Sequence, residues 1–114
     1  SHAACSVAYD QNIKILITMT HSGSTARMVS RYRPAAQIIA MTPIEEICRQ
    51  LSIVWGITPF VVKEYNSSDE IQNVANGILL REEILNEGQK YVITGGVPVG
   101  MPGTTNYLSV FKLA

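Results

Sequence analysis

Short apolar runs along the chain predict buried β-strands. The first covers residues 13–19 and reads Ile-Lys-Ile-Leu-Ile-Thr-Met, with β-branched residues and little alternation of apolar and polar positions. Such a run suits a strand that is covered on both faces inside a parallel sheet. Similar runs at residues 37–41, 59–62 and 91–94 predict three more buried strands.

The last apolar segment has a different pattern. Residues 107–113 read Tyr-Leu-Ser-Val-Phe-Lys-Leu, which alternates, and they follow the strand at 91–94 through a glycine-rich loop without a helical segment. Two neighbouring strands that are joined without a crossover helix pair antiparallel. We therefore expect residues 107–113 to return along the sheet as an antiparallel edge strand.

Helical periodicity occupies the segments between the strands. Apolar residues three and four positions apart lie on one face of a helix. The clearest set is Ile44, Ile47, Cys48 and Leu51. The residues before it have the pattern of a capping box, with Thr42 as the N-cap, Pro43 in the first turn and Glu45 three residues after the cap.

A second long helix is predicted over about residues 68–85. Ser67 and Glu70 form another capping box at its start, and Asn86 and Gly88 are expected to end it. Two further helices are predicted, one over residues 3–10 and one through Ala26, Val29 and Tyr32 that ends before Pro34.

The alternation of strands and helices predicts the fold class. Parallel strands joined by right-handed helical crossovers give an α/β protein with helices on both faces of an open sheet. We expect a three-layer, doubly wound, mostly parallel five-stranded sheet with an antiparallel edge strand. The length of 114 residues suits one domain, residues 1–114.

Charge and composition exclude several classes of protein. Nine basic residues balance nine acidic ones, so no net field draws the chain to nucleic acid or to an anionic membrane. No apolar run approaches the roughly 20 residues that cross a bilayer. We expect a soluble protein, and a cytoplasmic one because the first residues lack a secretory signal. Cys5 and Cys48 lack the spacing of a zinc site or redox pair, which predicts buried, reduced thiols.

The segment of residues 20–25, called the 20–25 segment below, is suited to hold an anion. It reads Thr-His-Ser-Gly-Ser-Thr and joins the carboxyl end of the first strand to a helix, at the rim where α/β sheets bind ligands. Backbone N–H groups at a helix start attract anions, and Gly23 allows close approach. The hydroxyls available there belong to Thr20, Ser22, Ser24 and Thr25.

The six residues alone leave a second interpretation open. Ser22 or Ser24 would then be an ordinary helix cap, with the other hydroxyls solvated. His21 is also ambiguous, because it fits either a ligand contact or an exposed loop residue. The segment lacks the lysine of a Walker loop and the three spaced glycines of a dinucleotide fingerprint, so nucleotide hydrolysis is not predicted.

A glycine-rich loop follows the strand at residues 91–94. Residues 95–106 read Gly-Gly-Val-Pro-Val-Gly-Met-Pro-Gly-Thr-Thr-Asn, which is too long for a plain hairpin turn. Long loops in compact domains tend to be functional. In a parallel sheet this loop leaves from the same rim as the 20–25 segment and could close over a ligand. A purely structural broad turn stays open as the alternative.

The two motifs together resemble the carboxy-terminal α/β domain of pyruvate kinases, of the bacterial type. The resemblance rests on Thr-x-Ser-Gly-x-Thr-Ala from Thr20, on Tyr-Arg-Pro at residues 32–34, and on Gly-Val-Pro-Val-Gly followed by Gly-Thr-Thr-Asn at residues 96–106. It extends over nearly the whole chain. It implies a mostly parallel α/β domain that follows a catalytic barrel, helps to form a tetramer and in many members holds a phosphorylated allosteric effector.

The resemblance also assigns site residues by position. The residues that match the grip on an effector phosphate are Thr20, Ser22, Gly23, Ser24 and Thr25. The loop that folds over the effector matches residues 96–105, here called the 96–105 loop. Its effector-binding positions are Gly96, Val97, Pro98, Gly100, Gly103, Thr104 and Thr105.

Departures from the family pattern narrow the implied effector. Many eukaryotic members carry arginine where Ser24 stands, and a tryptophan and an arginine that hold a second phosphate are missing near Tyr65 and Gln72. A second phosphate would therefore be poorly neutralised. The resemblance implies a monophosphate, either a sugar phosphate or adenosine monophosphate.

The resemblance places catalysis outside this chain. The parent enzymes transfer a phosphoryl group from phosphoenolpyruvate to ADP in glycolysis and use Mg²⁺ and K⁺, which the barrel holds. It implies no catalytic residue, metal ligand or cofactor in this chain, and no turnover by it alone. The implied partners are the catalytic domain, further copies in a homo-oligomer and the effector, with no nucleic acid or membrane.

Two other functions stay open from the sequence. One is an oligomerisation module with a vestigial phosphate loop, which would self-associate but bind no phosphate ligand. The other is a free-standing small α/β protein that handles phosphate or sugar phosphates, because fold alone does not fix function. The second alternative lacks an evident general acid or base.

Overall fold

The fold is an alternation of helices and strands around a single sheet. A computed structural model describes residues 2–65, 67–95 and 107–113. The elements in chain order are α1 (His2–Asp10), β1 (Ile15–Met19), α2 (Ser24–Arg31), β2 (Gln37–Thr42), α3 (Glu45–Leu51), β3 (Ile57–Val61), α4 (Ser68–Arg81), β4 (Lys90–Gly95) and β5 (Tyr107–Lys112).

The sheet has the topology that the sequence predicts. Its strand order is β3-β2-β1-β4-β5, so β1 lies at the centre. β1 pairs parallel with β2 and β4, and β2 pairs parallel with β3. β4 pairs antiparallel with β5, which forms one edge. The prediction of a mostly parallel, five-stranded α/β sheet with an antiparallel edge strand is therefore confirmed.

Two apolar layers cover the sheet, and alternate residues of β1 enter each of them. Ile15, Ile17 and Met19 pack in the layer that includes α4. Leu16 points to the opposite layer, where residues of α1, α2 and α3 are buried. Both faces of β1 are thus covered, which explains why its sequence shows almost no alternation.

Tyr91 links α4 to β4. Its ring is fully buried, and its hydroxyl donates a hydrogen bond to the side-chain oxygen of Asn76 on α4. Burial, with a smaller contribution from Tyr107, raises the pKa of Tyr91 to about 12. The phenol therefore keeps its proton at neutral pH and remains a hydrogen-bond donor.

The predicted capping box at Thr42 is wrong. Thr42 is the last residue of β2 and is fully buried, and its Oγ1 accepts a hydrogen bond from the Ile44 amide at 3.2 Å. The helix begins at Glu45 with Ile44 as its N-cap. Pairing of β2 with β3 extends to Thr42, so this residue belongs to the sheet although the local sequence predicts that it caps the helix.

The start of α4 is confirmed, but its predicted end at Leu85 is wrong. Ser67 is the N-cap, and its Oγ accepts a hydrogen bond from the Glu70 amide at 3.3 Å. The helix ends at Arg81 because Glu83 adopts a left-handed conformation with φ 54°. The Ile84 amide then donates to the Leu79 carbonyl at 3.0 Å, which closes a Schellman motif. A glutamate at this position gives no sequence signal for a helix end.

Strand boundaries differ by a few residues from the predictions. β1 begins at Ile15 rather than at residue 13, and β3 begins at Ile57 rather than at residue 59. Pro59 lies within β3, where it pairs with Ala40 of β2. Proline is tolerated there because β3 is an edge strand and one side of it needs no ladder hydrogen bond.

The two cysteines are free thiols, as predicted, but they are half-buried rather than buried. Cys5 lies in α1 and Cys48 in α3. Burial is the main cause that raises the pKa of each thiol. None of the helices in the described part of the chain has the length and apolar character that crossing a membrane needs.

Replacement of each of two glycines by alanine is expected to change the free energy of unfolding in opposite directions. A Cβ at Gly95 would lie 2.8 Å from the Met19 carbonyl oxygen, so Gly95→Ala would force β1 and β4 apart. A Cβ at Gly77 in α4 would meet nothing within 4 Å. We expect Gly95→Ala to lower the free energy of unfolding by about 1–3 kcal/mol. Gly77→Ala should raise it by about 0.5–1 kcal/mol through helix propensity.

Urea unfolding of both variants and of the unmodified chain measures these changes, with the m-value as a check that the unfolded state is comparable. An unchanged midpoint for Gly95→Ala would contradict the close approach of β1 and β4 at their carboxyl ends.

Candidate functional site

The 20–25 segment forms a tight turn between β1 and α2. The Thr20 amide donates to the Met41 carbonyl at 3.0 Å, which continues the pairing of β1 with β2. The Thr20 hydroxyl then accepts a hydrogen bond from the Gly23 amide at 2.8 Å. Thr20 therefore joins the end of the sheet to the start of α2.

Gly23 is the N-cap of α2 and has a left-handed conformation with φ 90°. A Cβ there would lie 3.3 Å from Leu51 Cδ2 and 3.4 Å from Ile47 Cγ2, both on α3. Backbone conformation and packing both favour glycine. The alternative in which Ser22 or Ser24 is the N-cap is wrong, because Ser24 is the first residue of the helix and Ser22 precedes the cap.

The hydroxyls of the segment fall into a buried pair and an accessible pair. Thr20 is 5% exposed and Thr25 is 4% exposed, whereas Ser22 is exposed and Ser24 is half-buried. Ser22 Oγ accepts a hydrogen bond from the Ser24 amide at 3.3 Å and donates one to Ser24 Oγ at 3.1 Å. The serines lie at the mouth of the turn, and the threonines form its base.

A fully buried hydroxyl lies two residues before Thr20 on β1. Thr18 Oγ1 has no hydrogen-bond partner within the described part of the chain. Side chains alternate along a strand, so Thr18 and Thr20 share the face of β1 that α2 covers. Thr94 on β4 is the register partner of Thr18. Hydroxyl groups thus replace aliphatic side chains toward the carboxyl ends of these central strands.

The start of α2 adds backbone donors to these hydroxyls. The first N–H groups of a helix have no acceptor within the helix, and the helix dipole makes that end positive. Arg27 lies in the next turn, with its Nε 3.6 Å from the position of a Cβ at Gly23. The positive potential at this end of α2 favours an anion.

His21 connects the segment to the residues after β3. Its Nε2 lies 2.7 Å from Oε1 of Glu64, and its ring centroid is 5.4 Å from that of Tyr65. Burial, with a smaller contribution from Glu64, raises the pKa of Tyr65, so its phenol is neutral. No sequence pattern indicates this contact, because 43 positions separate His21 from Glu64.

The other predicted site residues lie outside the described residues. They are Gly96, Val97, Pro98, Gly100, Gly103, Thr104 and Thr105. The described residues on either side of them pair with each other, because Gly95 is the register partner of Tyr107 at the end of β4. Gly95 is also the register partner of Met19, the residue before Thr20. The flanks of the 96–105 loop and the 20–25 segment therefore lie at the same rim of the sheet.

The opposite rim carries a different kind of depression. An open groove of about 680 Å³ lies between the chain following α1 and the chain following α2. Its lining includes aromatic and basic side chains. Among these are His2, Tyr9, Lys14, Tyr32 and Arg33. Within residues 2–65, 67–95 and 107–113, no group of three or more histidine, cysteine, aspartate or glutamate side chains is placed to hold a metal ion.

Comparisons with known proteins agree on one family. The sequence pattern of the pyruvate kinase alpha/beta domain matches residues 1–111. Pyruvate kinase from Staphylococcus aureus strain USA300 is 45% identical over 103 residues, which are 90% of this chain and 18% of that protein. The enzyme from the bovine strain RF122 shows the same identity and coverage. The chain thus spans about a fifth of the length of these curated relatives.

Solved structures show the same likeness. A pyruvate kinase from Cryptosporidium parvum superposes with a TM-score of 0.85 at 29% identity, over 98% of this chain and 21% of that one. The Cryptosporidium parvum enzyme in complex with ADP has a TM-score of 0.85 at 31% identity, over 98% of this chain and 22% of that one. This chain therefore belongs to the family of pyruvate kinase alpha/beta domains.

Proposed function

We propose that this chain is the regulatory α/β domain of a pyruvate kinase and that its 20–25 segment binds the phosphate group of a small effector. The parent enzyme would transfer a phosphoryl group from phosphoenolpyruvate to ADP. The observation that carries the proposal is the turn at Gly23, which precedes α2. The Thr20 hydroxyl accepts a hydrogen bond from the Gly23 amide, and side chains of α3 pack against Gly23. Such a turn directs the positive end of the α2 dipole toward the rim of the sheet, where it favours an anion.

The number of basic groups favours a monophosphate. The segment carries His21, and Arg27 lies beside it on α2. Ser24 brings a hydroxyl where an arginine would add a second permanent charge. Two phosphates close together need more neutralisation than this arrangement supplies. The proposed effector is therefore a sugar monophosphate or adenosine monophosphate.

The 96–105 loop completes the proposed site. Its described flanks, Gly95 and Tyr107, pair at the rim that holds the 20–25 segment. We propose that the loop between these flanks covers a ligand held at the start of α2, as the family pattern implies. The assignment of effector contacts to Gly96 through Thr105 rests on the family pattern and is part of the proposal.

Catalysis and its cations are assigned to the rest of the parent enzyme. The family likeness is the basis for the proposal that the Mg²⁺ and K⁺ of pyruvate kinases bind outside this chain, whose residues would take no part in phosphoryl transfer. We place the parent enzyme in the cytoplasm, where glycolysis supplies its substrates.

A second function, in assembly, is favoured by one edge of the sheet. β5 is an edge strand, and its Leu108 and Val110 are 40% and 36% exposed. Apolar side chains on an open edge strand are a common feature of interfaces between chains. We propose that the domain contributes to a homo-oligomer and also contacts the catalytic domain of its own chain.

The Ser24→Asp substitution should weaken phosphate binding while it stabilises the helix. A carboxylate in the first turn of α2 should raise the free energy of unfolding by about 0.3–1 kcal/mol, because it complements the helix dipole. The same charge should repel a phosphate and weaken binding at least tenfold, about 1.4 kcal/mol. Calorimetric titration with glucose 6-phosphate and adenosine monophosphate measures binding, and thermal unfolding measures stability.

Ser24→Asn is the matched control, because it has the same shape as aspartate without the charge. Thr25→Asp should abolish binding as well, although its burial makes a folding check by circular dichroism necessary. Equal affinity of Ser24→Asp and Ser24→Asn for a ligand that the unmodified chain binds would refute the assignment of the phosphate to this segment.

The isolated chain should produce no pyruvate from phosphoenolpyruvate and ADP in the presence of Mg²⁺ and K⁺. The reason is that no described residue is assigned to the transfer step. A coupled lactate dehydrogenase assay detects pyruvate, and addition of an intact pyruvate kinase to the same cuvette is the positive control. Turnover that survives repurification of the chain would show that chemistry resides in it.

The assembly function predicts that charge on β5 weakens self-association. Val110→Lys places a cation on the exposed apolar edge and should lower the mean mass of the chain in solution, measured by light scattering over a range of concentrations. Val61→Lys, on the opposite edge strand and 46% exposed, is the matched control. An identical mass distribution for Val110→Lys and the unmodified chain would contradict an interface at β5.

A further inference from the structure

A row of lysines, called the lysine row below, lies across the sheet at the rim opposite the proposed phosphate site. Lys90 is the first residue of β4, and its register partner is Lys112, the last residue of β5. On the other side of β4, Leu16 of β1 is the register partner of Val92. Two residues earlier along both segments, the same register sets Lys14 across from Lys90. The lysine row therefore crosses the neighbouring strands β1, β4 and β5.

The three lysines share one face of the sheet. The Gln37 amide donates to the Lys14 carbonyl at 2.8 Å, so Lys14 continues the pairing of β1 with β2. Leu16 and Val92, each two positions after a lysine of the row, pack in the layer that includes residues of α1, α2 and α3, and side chains two positions apart share a face. Direct partners in an antiparallel pair also share a face, which adds Lys112. Because neighbouring strands are about 4.8 Å apart, the three stems leave the sheet within about 10 Å.

The charges of the lysine row lack an ion-pair partner among the described residues. All three side chains are exposed, and the ion pairs between described residues involve other groups. Lys14 Nζ donates to the neutral amide oxygen of Asn12 at 3.1 Å. Asp10 and Glu87 are the carboxylates closest to the row along the chain, and both are exposed and outside those ion pairs. Like charges that stand opposite each other on neighbouring strands destabilise a sheet, so the row lowers the stability of the unliganded domain.

Protection of an open sheet edge does not account for the lysine row. A lysine on an edge strand discourages pairing with another chain. Of the three lysines, Lys112 alone lies on an edge strand, because β1 and β4 are internal. The chain has four lysines and five arginines, and the row contains three of the lysines and none of the arginines. A concentration of ammonium groups at one place in a chain without net charge favours an anionic ligand there.

We propose that Lys14, Lys90 and Lys112 form a second anion site, which binds a chain of linked phosphate groups. Lysine carries a compact point charge on a flexible stem, whereas the planar fork of arginine suits two-point contact with a single carboxylate or phosphate. Three adjacent ammonium groups therefore suit a ligand whose negative charge extends over several linked groups. The site is separate from the 20–25 segment and does not depend on the function proposed for it.

The groove at the same rim distinguishes two sources of a phosphate chain, which are an inorganic oligophosphate and a nucleoside triphosphate. Lys14 lines this groove together with Tyr9 and Tyr32. The Tyr9 side chain is 84% exposed, so its ring is accessible to a ligand. The base of a nucleoside triphosphate bound at Lys14 would lie beside these aromatic rings, on which bases stack. An inorganic oligophosphate would use the lysine row alone.

Inorganic tripolyphosphate is the probe that tests the lysine row. Calorimetric titration of the chain, at constant ionic strength and without divalent cations, measures its affinity for phosphate, diphosphate and tripolyphosphate. We expect the affinity to rise about fivefold at each step, because each added phosphate group contacts a further lysine. Adenosine triphosphate in the same assay tests the nucleotide as the source. Binding that is tighter than that of tripolyphosphate, and that Tyr9→Ser weakens for the nucleotide alone, identifies a nucleotide, whereas equal binding identifies the phosphate chain itself.

Lysine-to-glutamine variants test the individual residues. Lys90→Gln should lower the affinity for tripolyphosphate about fivefold, and it should raise the urea midpoint of the unliganded chain because it removes the central charge of the row. Lys14→Gln and Lys112→Gln should lower the affinity by a similar factor. Lys63→Gln is the matched control, because Lys63 is the fourth lysine, is exposed and follows β3 outside the row. It should change neither the affinity nor the midpoint.

Ser24→Asp distinguishes the lysine row from the proposed phosphate site. This variant changes the 20–25 segment at the other rim, so it should keep the binding of tripolyphosphate at the row. Nuclear magnetic resonance of the Ser24→Asp chain locates that binding, and tripolyphosphate should shift the backbone amide signals of Lys90 and Lys112 and leave that of Gly23 in place. Lys90→Gln should in turn keep the affinity of the chain for glucose 6-phosphate.

The outcomes for the two sites are separate. Equal affinity of Lys90→Gln and Lys63→Gln for tripolyphosphate, or loss of tripolyphosphate binding in Ser24→Asp, would overturn the lysine row as a site and leave the proposed phosphate site standing. Citrate that binds as tightly as tripolyphosphate would overturn the assignment of a phosphate chain. Tripolyphosphate binding that depends on Lys90, without binding of glucose 6-phosphate or adenosine monophosphate, would establish the row and count against the proposed function alone.

Discussion

Parallel pairing of β1 with both of its neighbours is the constraint on which the rest of the structure depends. Because β2 and β4 run in the same direction as β1, the chain leaves all three strands at one rim. The 20–25 segment and the flanks of the 96–105 loop meet there although about 70 positions separate them. An antiparallel partner at either side would have sent one of them to the opposite rim.

The same pairing limits which side chains fit at the proposed anion site. Central strands are covered on both faces, so the end of β1 has little room for long charged side chains. Small hydroxyl residues and Gly23 fit between the sheet and α3, and they leave the start of α2 accessible. The donors available at such a site are backbone N–H groups and hydroxyls, whose positions the fold determines. Gly23 and the hydroxyl residues therefore allow close packing at the end of β1 and would also form the proposed anion site.

Sequence reasoning succeeds here where the interaction is local or periodic. The strands, the topology at β5 and the Ser67 cap follow from runs, alternation and a capping box. The Thr42 cap fails because pairing with β3 outweighs a local helix signal, and the end of α4 fails because Glu83 adopts a conformation that glycine usually supplies. The contact of His21 with Glu64 depends on tertiary structure alone, so no pattern in either segment indicates it.

Electrostatics at the rim depends on fixed dipoles rather than on net charge. The chain has no net charge, and fixed dipoles at the start of α2 provide an attraction that does not vary with pH. The carboxylate partner of His21 belongs to the residues that follow β3, so this one contact joins the 20–25 segment to the end of a strand that does not neighbour β1.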